Sequence, residues 1–317
     1  MITDLTIEIY LAELFGCKVV ELSNESEWLE MRRFGIGASD TASIFGVGYA
    51  GSSPVTVWES KTGEPREIEP ALRRLFDRGH RMEPVIAAEY VAETGHEVVD
   101  PGEFTIFFSK DERYRNLFAT LDRIVLHPDH GPIPLELKNI HGRNWRDYES
   151  DEAPLKHQIQ CQHQMAVTGA EFAVLACLIG GADLKVYTIE RNERFISTMV
   201  SQLDEFVALV ESKTLPPVDK SEATAKALAR IYPADDSTTI DLPAVADQWA
   251  ENLATAKEEL KAAKKRVLGI ENEIKAAIGE ATRGNIPSGG GFTWKQQTRK
   301  SYVVEESTYR VLRKVKK

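Results

Sequence analysis

The chain has 317 residues, 42% hydrophobic and 28% charged, with a formal net charge of -10. That composition suits an ordinary globular protein, either one large domain with an appendage or two domains. No apolar run nears the ~20 residues of a membrane span, and the acidic start MITDLTIEIYLAELFG lacks the basic region of a secretory signal. A uniformly acidic surface would exclude nucleic acid, because neutralising phosphates takes Lys and Arg. The charge is not uniform. Residues 294–317 hold eight Lys/Arg against two Asp/Glu, so basic surfaces coexist with an acidic body. Such a tail also reads as a solvated chain end. Cys17, Cys161 and Cys177 are scattered thiols in no metal-ligand spacing. They fit a reducing cytoplasm and no disulfide framework.

Residues 1–23 read as a lead-in helix and strand. SNESEWLEMRRFG (23–35) reads as a helix capped by Ser23 or Asn24. GIGASDTASIFGVG (35–48) is a Gly-rich turn that becomes helical from about Ser39. Ser53 before Pro54 starts a helix that ends at Gly63. Residues 70–95 form one long amphipathic helix or two, with a break expected at Pro84. Extended segments follow at 97–99, 104–107 and 118–127, then the turn HPDHG and a strand over 133–140. A helix over 153–169 closes at Gly169, a strand pair spans 172–190, and a long helix covers 192–212. The mixture predicts an α/β core with a mixed sheet. Residues 1–215 are expected as the core domain, 216–240 as a linker, and 241–317 as a helical extension with a basic tail. Trp249, Leu253, Ala256, Leu260, Ala263, Val267, Ile270, Ile274 and Ala277 follow 4-3 spacing, the pattern of a coiled coil or helical hairpin; an amphipathic helix on the main domain is the rival reading. GNIPSGGGFTWKQ (284–296) reads as a loop, and the tail as a strand at 302–304 with a short basic helix.

The chemistry concentrates in FATLDRIVLHPDHGPIPLELK (118–138). On the second strand side chains alternate, so Leu135 and Leu137 point into the core while Glu136 and Lys138 share the other face. The turn brings Asp122 beside them. Neighbouring carboxylates repel unless a cation sits between, and hard oxygen ligands suit Mg2+ or Mn2+. A lysine there can orient the attacking water or neutralise charge on a phosphate. Taken alone, Asp…Glu-x-Lys also describes a solvated edge hairpin. Glu83 on the preceding helix offers a third carboxylate. His157, Gln160 and Gln164 share a face of the following helix. His157 and His163 are six residues apart, on different faces, which argues against a metal pair. In MRRFGIGASD, small residues lead into a helix start that favours an anion. There Arg32 or Arg33 and Ser39 can hold a phosphate. A plain capped turn is the rival reading.

RRFGIGASD, RGHRMEP, LFATLDRIV, LELK and PLKHQIQCQHQMAVTG, in that order, resemble the YqaJ-type viral recombinase nucleases, the family of the phage lambda exonuclease. The resemblance covers roughly residues 25–215. It implies a restriction-endonuclease-like PD-(D/E)xK core, a central mixed sheet flanked by helices. It implies a magnesium-dependent 5′-to-3′ exonuclease on double-stranded DNA ends, with two ions per site, leaving 3′ tails for a single-strand annealing protein. Through it, Asp122, Glu136 and Glu83 correspond to the metal-binding acids. Lys138 corresponds to the catalytic lysine and Gln160 to the motif glutamine. Arg33 (or Arg32), Ser39, Thr120 and His157 fall at phosphate- or DNA-contacting positions. It also implies a homo-oligomer, a ring trimer in the family, without a membrane partner. Alternatives are an endonuclease of the same fold, or a non-catalytic DNA-binding assembly protein. An iron–sulfur relative of the Cas4 kind would need more cysteines at other spacings.

Overall fold

The computed structural model describes residues 4–49, 51–63, 70–301, 306 and 308–313. The chain divides into two compact units, Met1–Ile231 and Tyr232–Lys317.

The first unit begins with α1 (Asp4–Phe15) and β1 (Lys18–Glu21), followed by α2 (Glu25–Met31). Asn24 caps α2, its side chain accepting from the Glu27 amide. A 3-10 turn, Arg32–Phe34, leads to β2 (Ile36–Gly37) and α3 (Ala38–Ile44). Next comes α4 (Pro54–Thr62), whose Ser53 and Thr56 cap one another reciprocally. The long α5 (Pro70–Thr94) is unbroken, so the break expected at Pro84 does not occur. Proline removes one intrahelical bond to the carbonyl four residues back. Here Pro84 and His80 are both exposed, so water can take that carbonyl.

Then follow β3 (Glu97–Val99), β4 (Thr105–Phe108), β5 (Leu117–Ala119), β6 (Arg123–His127) and β7 (Gly131–Ile140). The single strand expected over 118–127 is therefore two, separated at Thr120–Asp122 and belonging to different sheets. Helix α6 (Leu155–Thr168) ends at Gly169, whose φ of 78° is the left-handed cap that glycine adopts without strain. Strands β8 (Phe172–Ile179) and β9 (Asp183–Glu190) precede α7 (Glu193–Glu211).

One sheet has the order β3-β6-β7-β8-β9, and a second has β1-β4-β5-β2. The first is mixed: β7 pairs antiparallel with β6 and parallel with β8. Its two faces are covered differently. Ile86, Ala87 and Tyr90 of α5 pack on Val125, Ile133, Leu135, Leu137, Val174 and Ala176. Cys161 and Met165 of α6 join the core on the other side, with Ala173, Leu175, Cys177 and Tyr187. The protein is thus mixed α/β, its sheets flanked by helices. The alternation read in LELK holds, with Leu135 and Leu137 buried against α5 and Glu136 and Lys138 turned toward α6.

The segment expected as linker contains a further helix, α8 (Glu222–Ile231), in the first unit. Its Ala223, Thr224 and Ala227 are buried, and Arg230 makes paired bonds to the buried Glu59 carboxylate. Small residues at i and i+4 give a short polar-looking sequence a closely packing face, which hid it among the polar residues around it. In the second unit, α9 (Ala246–Ile278) is one continuous helix of 33 residues. The expected glycine-rich loop forms a small hairpin, β10 (Arg283–Asn285) with β11 (Gly291–Thr293). Its turn uses the positive φ of Gly289 and Gly290. Residues 302–304, read as a strand, lie outside the described residues. No helix among the described residues is long and apolar enough to cross a membrane.

Candidate active site

The register of β6 and β7 places the acids. Arg123 pairs with Leu135, so Asp122 stands at the mouth of the hairpin beside Glu136 and Leu137. The Asp122 carboxylate accepts the Leu137 amide at 2.8 Å. That bond fixes the carboxylate against the strand carrying the other two groups. Glu136 is 1% exposed. Such burial is costly for a carboxylate unless its oxygens are satisfied. They are: Gln160 donates to Oε1 and Gln164 to Oε2, each at 2.6 Å. The Lys138 ammonium bonds the Glu136 carboxylate and lies 4.0 Å from Asp122.

The charges are unbalanced. Burial, then the Asp122 charge, push Glu136 up to about 6 against the pull of Lys138. Asp122 is raised too, by burial first and then by Glu83, against Lys138. Burial works against the Lys138 charge, but Glu136, Tyr49 and Asp122 hold its pKa well above the ordinary value. That direction keeps it an ammonium. Glu83 approaches from α5, 3.9 Å from Arg123, and burial raises its pKa as well.

A second cluster lies where the 3-10 turn meets α3 and α4. Arg32 donates to Ser39 Oγ at 3.2 Å and its guanidinium stacks over Trp28 and Phe118. Lys61 bonds Asp40 at 2.9 Å and the Arg32 carbonyl at 2.6 Å. Asp40 also accepts the Gly37 amide. Burial pushes Asp40 up, but Lys61 and Arg32 outweigh it and bring the carboxyl down to about 2. Gly37 is required here: a Cβ would come within 2.9 Å of the Phe118 ring and 3.3 Å of the Arg32 guanidinium. Arg33 points elsewhere, donating to the Gly63 carbonyl at 2.6 Å. Of the two arginines, the fold sets Arg32 beside Ser39.

Helix α6 joins the clusters. Between Gln160 and Gln164, His163 bonds Thr41 Oγ1 at 2.7 Å and the Phe118 carbonyl at 3.0 Å. With Nε2 donating to that carbonyl, Nδ1 accepts from the threonine, and burial lowers the imidazole to about 4. His157 is 1% exposed, with its ring nitrogens bonded to the Tyr148 and Tyr49 hydroxyls. Burial takes it to about 2. The ring is therefore a neutral prop behind the site rather than a surface contact for DNA. Thr120 is half-buried in the link between β5 and β6.

Residues 27–171 match the family described as the YqaJ-like viral recombinase domain. Every site residue named so far falls within that stretch. Over 270 residues the chain is 27% identical to the uncharacterized protein YqaJ of Bacillus subtilis (strain 168), covering 84% of this chain and 82% of that one. Among solved structures, it is similar to an alkaline exonuclease (LHK-Exo) from Laribacter hongkongensis, with a TM-score of 0.46 and 20% identity. That match covers 65% of this chain and 99% of the other. The LHK-Exo complex with dAMP gives 0.47 and 20%, covering 66% and 98%.

The donor set at the hairpin mouth fits a hard divalent cation. Asp122 and Glu136 are oxygen donors that outnumber the Lys138 ammonium, and their pKa values are raised by burial first and by neighbouring carboxylates second. Among the described residues, no three His, Cys, Asp or Glu side chains form a ready-made cage. A small hard cation needs none: it keeps several waters and binds through one or two carboxylates plus phosphate oxygens.

Several functional groups escaped the sequence reading. Gln164 was visible as part of a polar helix face, but not as a donor to Glu136. Lys61 gave no local signal, because its partner Asp40 is 21 residues away and reached only when α3 and α4 pack. Tyr49 sits in a turn, and only the fold brings it to His157.

Proposed function

We propose that the chain is a metal-dependent 5′-to-3′ exonuclease on linear double-stranded DNA, leaving 3′ single-stranded tails for a strand-annealing protein. The observation that carries this reading is the meeting of Asp122, Glu136 and Lys138 at one hairpin mouth, with two glutamines fixing the buried carboxylate. Mg2+ or Mn2+ held by Asp122 and Glu136, with Glu83 nearby, would polarise the scissile phosphate and supply an activated water. The chain's own groups do the positioning. Gln160 and Gln164 hold Glu136 in one orientation, as second-layer hydrogen bonds do for metal-binding carboxylates. The Leu137 amide does the same for Asp122. Lys138 offers its protons to the negative charge that builds on the phosphate oxygens.

The Arg32, Ser39 and Lys61 cluster supports an end-directed activity. Its surplus positive charge and hydroxyl donor suit a terminal 5′-phosphate. Holding that phosphate sets the register of cleavage by orientation.

The test uses linear duplex labelled at either end, and covalently closed duplex of the same sequence. With Mg2+, 5′ label is released early and 3′ label late, the closed form survives, and a chelator stops the reaction. Closed duplex cut as fast as linear would turn the reading into an endonuclease; no cleavage with either metal would end it.

A further inference from the structure

Helix α9 carries an apolar seam that the nuclease reading leaves unused. Trp249, Leu253, Leu260, Val267 and Ile270 are each 42–57% exposed. Isolated exposed apolar residues are ordinary. These are not isolated: with Ala256, Ala263, Ile274 and Ala277 they hold 4-3 spacing over roughly four heptads, the length at which such a pattern marks a coiled coil. Leu253, Leu260, Val267 and Ile274 then occupy position a. Trp249, Ala256, Ala263, Ile270 and Ala277 occupy position d. Alanine at three of the five d positions lets two helices approach closely.

The flanking charges select the partner. In a parallel pair, each g residue faces the e residue five positions later on the other helix. Here Glu259 faces Lys264 of the other copy, and Arg266 faces Glu271. Both contacts are attractive, and each occurs twice by symmetry. The sign inverts along the helix, Glu–Lys in one heptad and Arg–Glu in the next, so a shift by one heptad sets Glu259 against Glu271 and loses the match. The same seam in an antiparallel pair centred on Arg266 would face that arginine with itself and Glu259 with Glu273.

We infer that α9 pairs, parallel and in register, with α9 of a second copy of this chain. The surface is self-complementary in both shape and charge, which is what a symmetric contact requires. The inference rests on the second unit alone and does not depend on the nuclease reading.

Full-length variants Leu253→Cys and Ala277→Cys, each adding one cysteine to the native three, test it. The native Cys17, Cys161 and Cys177 are buried, so wild-type protein supplies the background. Under mild oxidation each variant cross-links to itself, because parallel register sets every a and every d residue against its counterpart. Cross-linking only when the two variants are mixed would show an antiparallel pair and overturn the inference. So would the absence of cross-linking in all three samples. A second arm reads association by sedimentation. Glu259→Lys with Glu271→Lys makes one set of flanks positive, and Lys264→Glu with Arg266→Glu makes the other negative. Each double variant associates at least about ten-fold more weakly than wild type, and mixing them restores association. Unchanged self-association in both double variants, with no cross-link, would place assembly elsewhere.

Discussion

The two charged clusters of the first unit use the same kinds of groups with opposite surplus. At the hairpin mouth two carboxylates share one ammonium, and Glu136, Asp122 and Lys138 all have raised pKa values. At the α3 start, two cations share one carboxylate, and Asp40 and Lys61 are both lowered. Burial alone would raise the acids and lower the lysines. Two groups go the other way, Lys138 and Asp40, each outnumbered by opposite charge. The first cluster carries more carboxylates than ammonium groups, and the second more cations than carboxylates. On the proposed reading the guests are a metal ion and a terminal phosphate, and α6 holds the clusters together through Gln160, His163 and Gln164.

That contrast can be broken in several places. The largest stability effect is expected at the basic cluster. Lys61→Met leaves half-buried Asp40 with only the Gly37 amide and, at 3.9 Å, Arg32. The expected cost is about 3–5 kcal/mol by denaturant titration at neutral pH, as for other buried pairs that lose one partner. A cost under about 1 kcal/mol would mean that Arg32 suffices. Next is the link between the clusters. His163 is neutral in the fold because burial lowers its pKa to about 4 from 6.5. Its contribution is whole above pH 6.5, falls as the unfolded chain takes up the proton first, and is spent by pH 4. The integrated loss is about 3 kcal/mol. Thermal melts of His163→Gln against wild type across that range check it, and the variant loses this part of the acid limb.

A smaller effect separates the arginines. Arg32→Ala lowers the preference for 5′-phosphorylated over 5′-hydroxyl ends about ten-fold, roughly one charged hydrogen bond. Arg33→Ala leaves the preference within about two-fold. Reversal of the two would reassign the pocket. The smallest effect returns to the hairpin mouth. Lys138→Met costs under about 1 kcal/mol of stability at pH 6, because Glu136, already raised to about 6, takes a proton instead. A loss as large as that of Lys61→Met would erase the difference between the clusters.

What the sequence showed was mostly local. Asn24, Ser53 and Gly169 cap their helices as read, because capping is decided within a few residues. The alternation of Leu135–Lys138 followed from the strand period, and the order of motifs along the chain carried the resemblance to the family whose model matches residues 27–171. What stayed hidden depends on packing at a distance. Which of two adjacent arginines meets Ser39 is set by the 3-10 turn over Arg32–Phe34, where a single residue step redirects the side chain. His157 was expected at a phosphate- or DNA-contacting position on a polar helix face; in the fold it is buried with two tyrosine hydroxyls from separate segments. Helix α8 lacked an apolar stripe because its packing face is alanine. Pro84 pointed to a break that exposure to water makes unnecessary.

The most direct test of the central assignment is duplex digestion by Lys138→Ala and Asp122→Asn, with DNA binding followed in parallel. Both variants are expected to bind linear duplex near wild-type affinity while digestion falls by at least about 10³-fold. Either variant digesting duplex at the wild-type rate would contradict the assignment of Asp122, Glu136 and Lys138 as the catalytic centre.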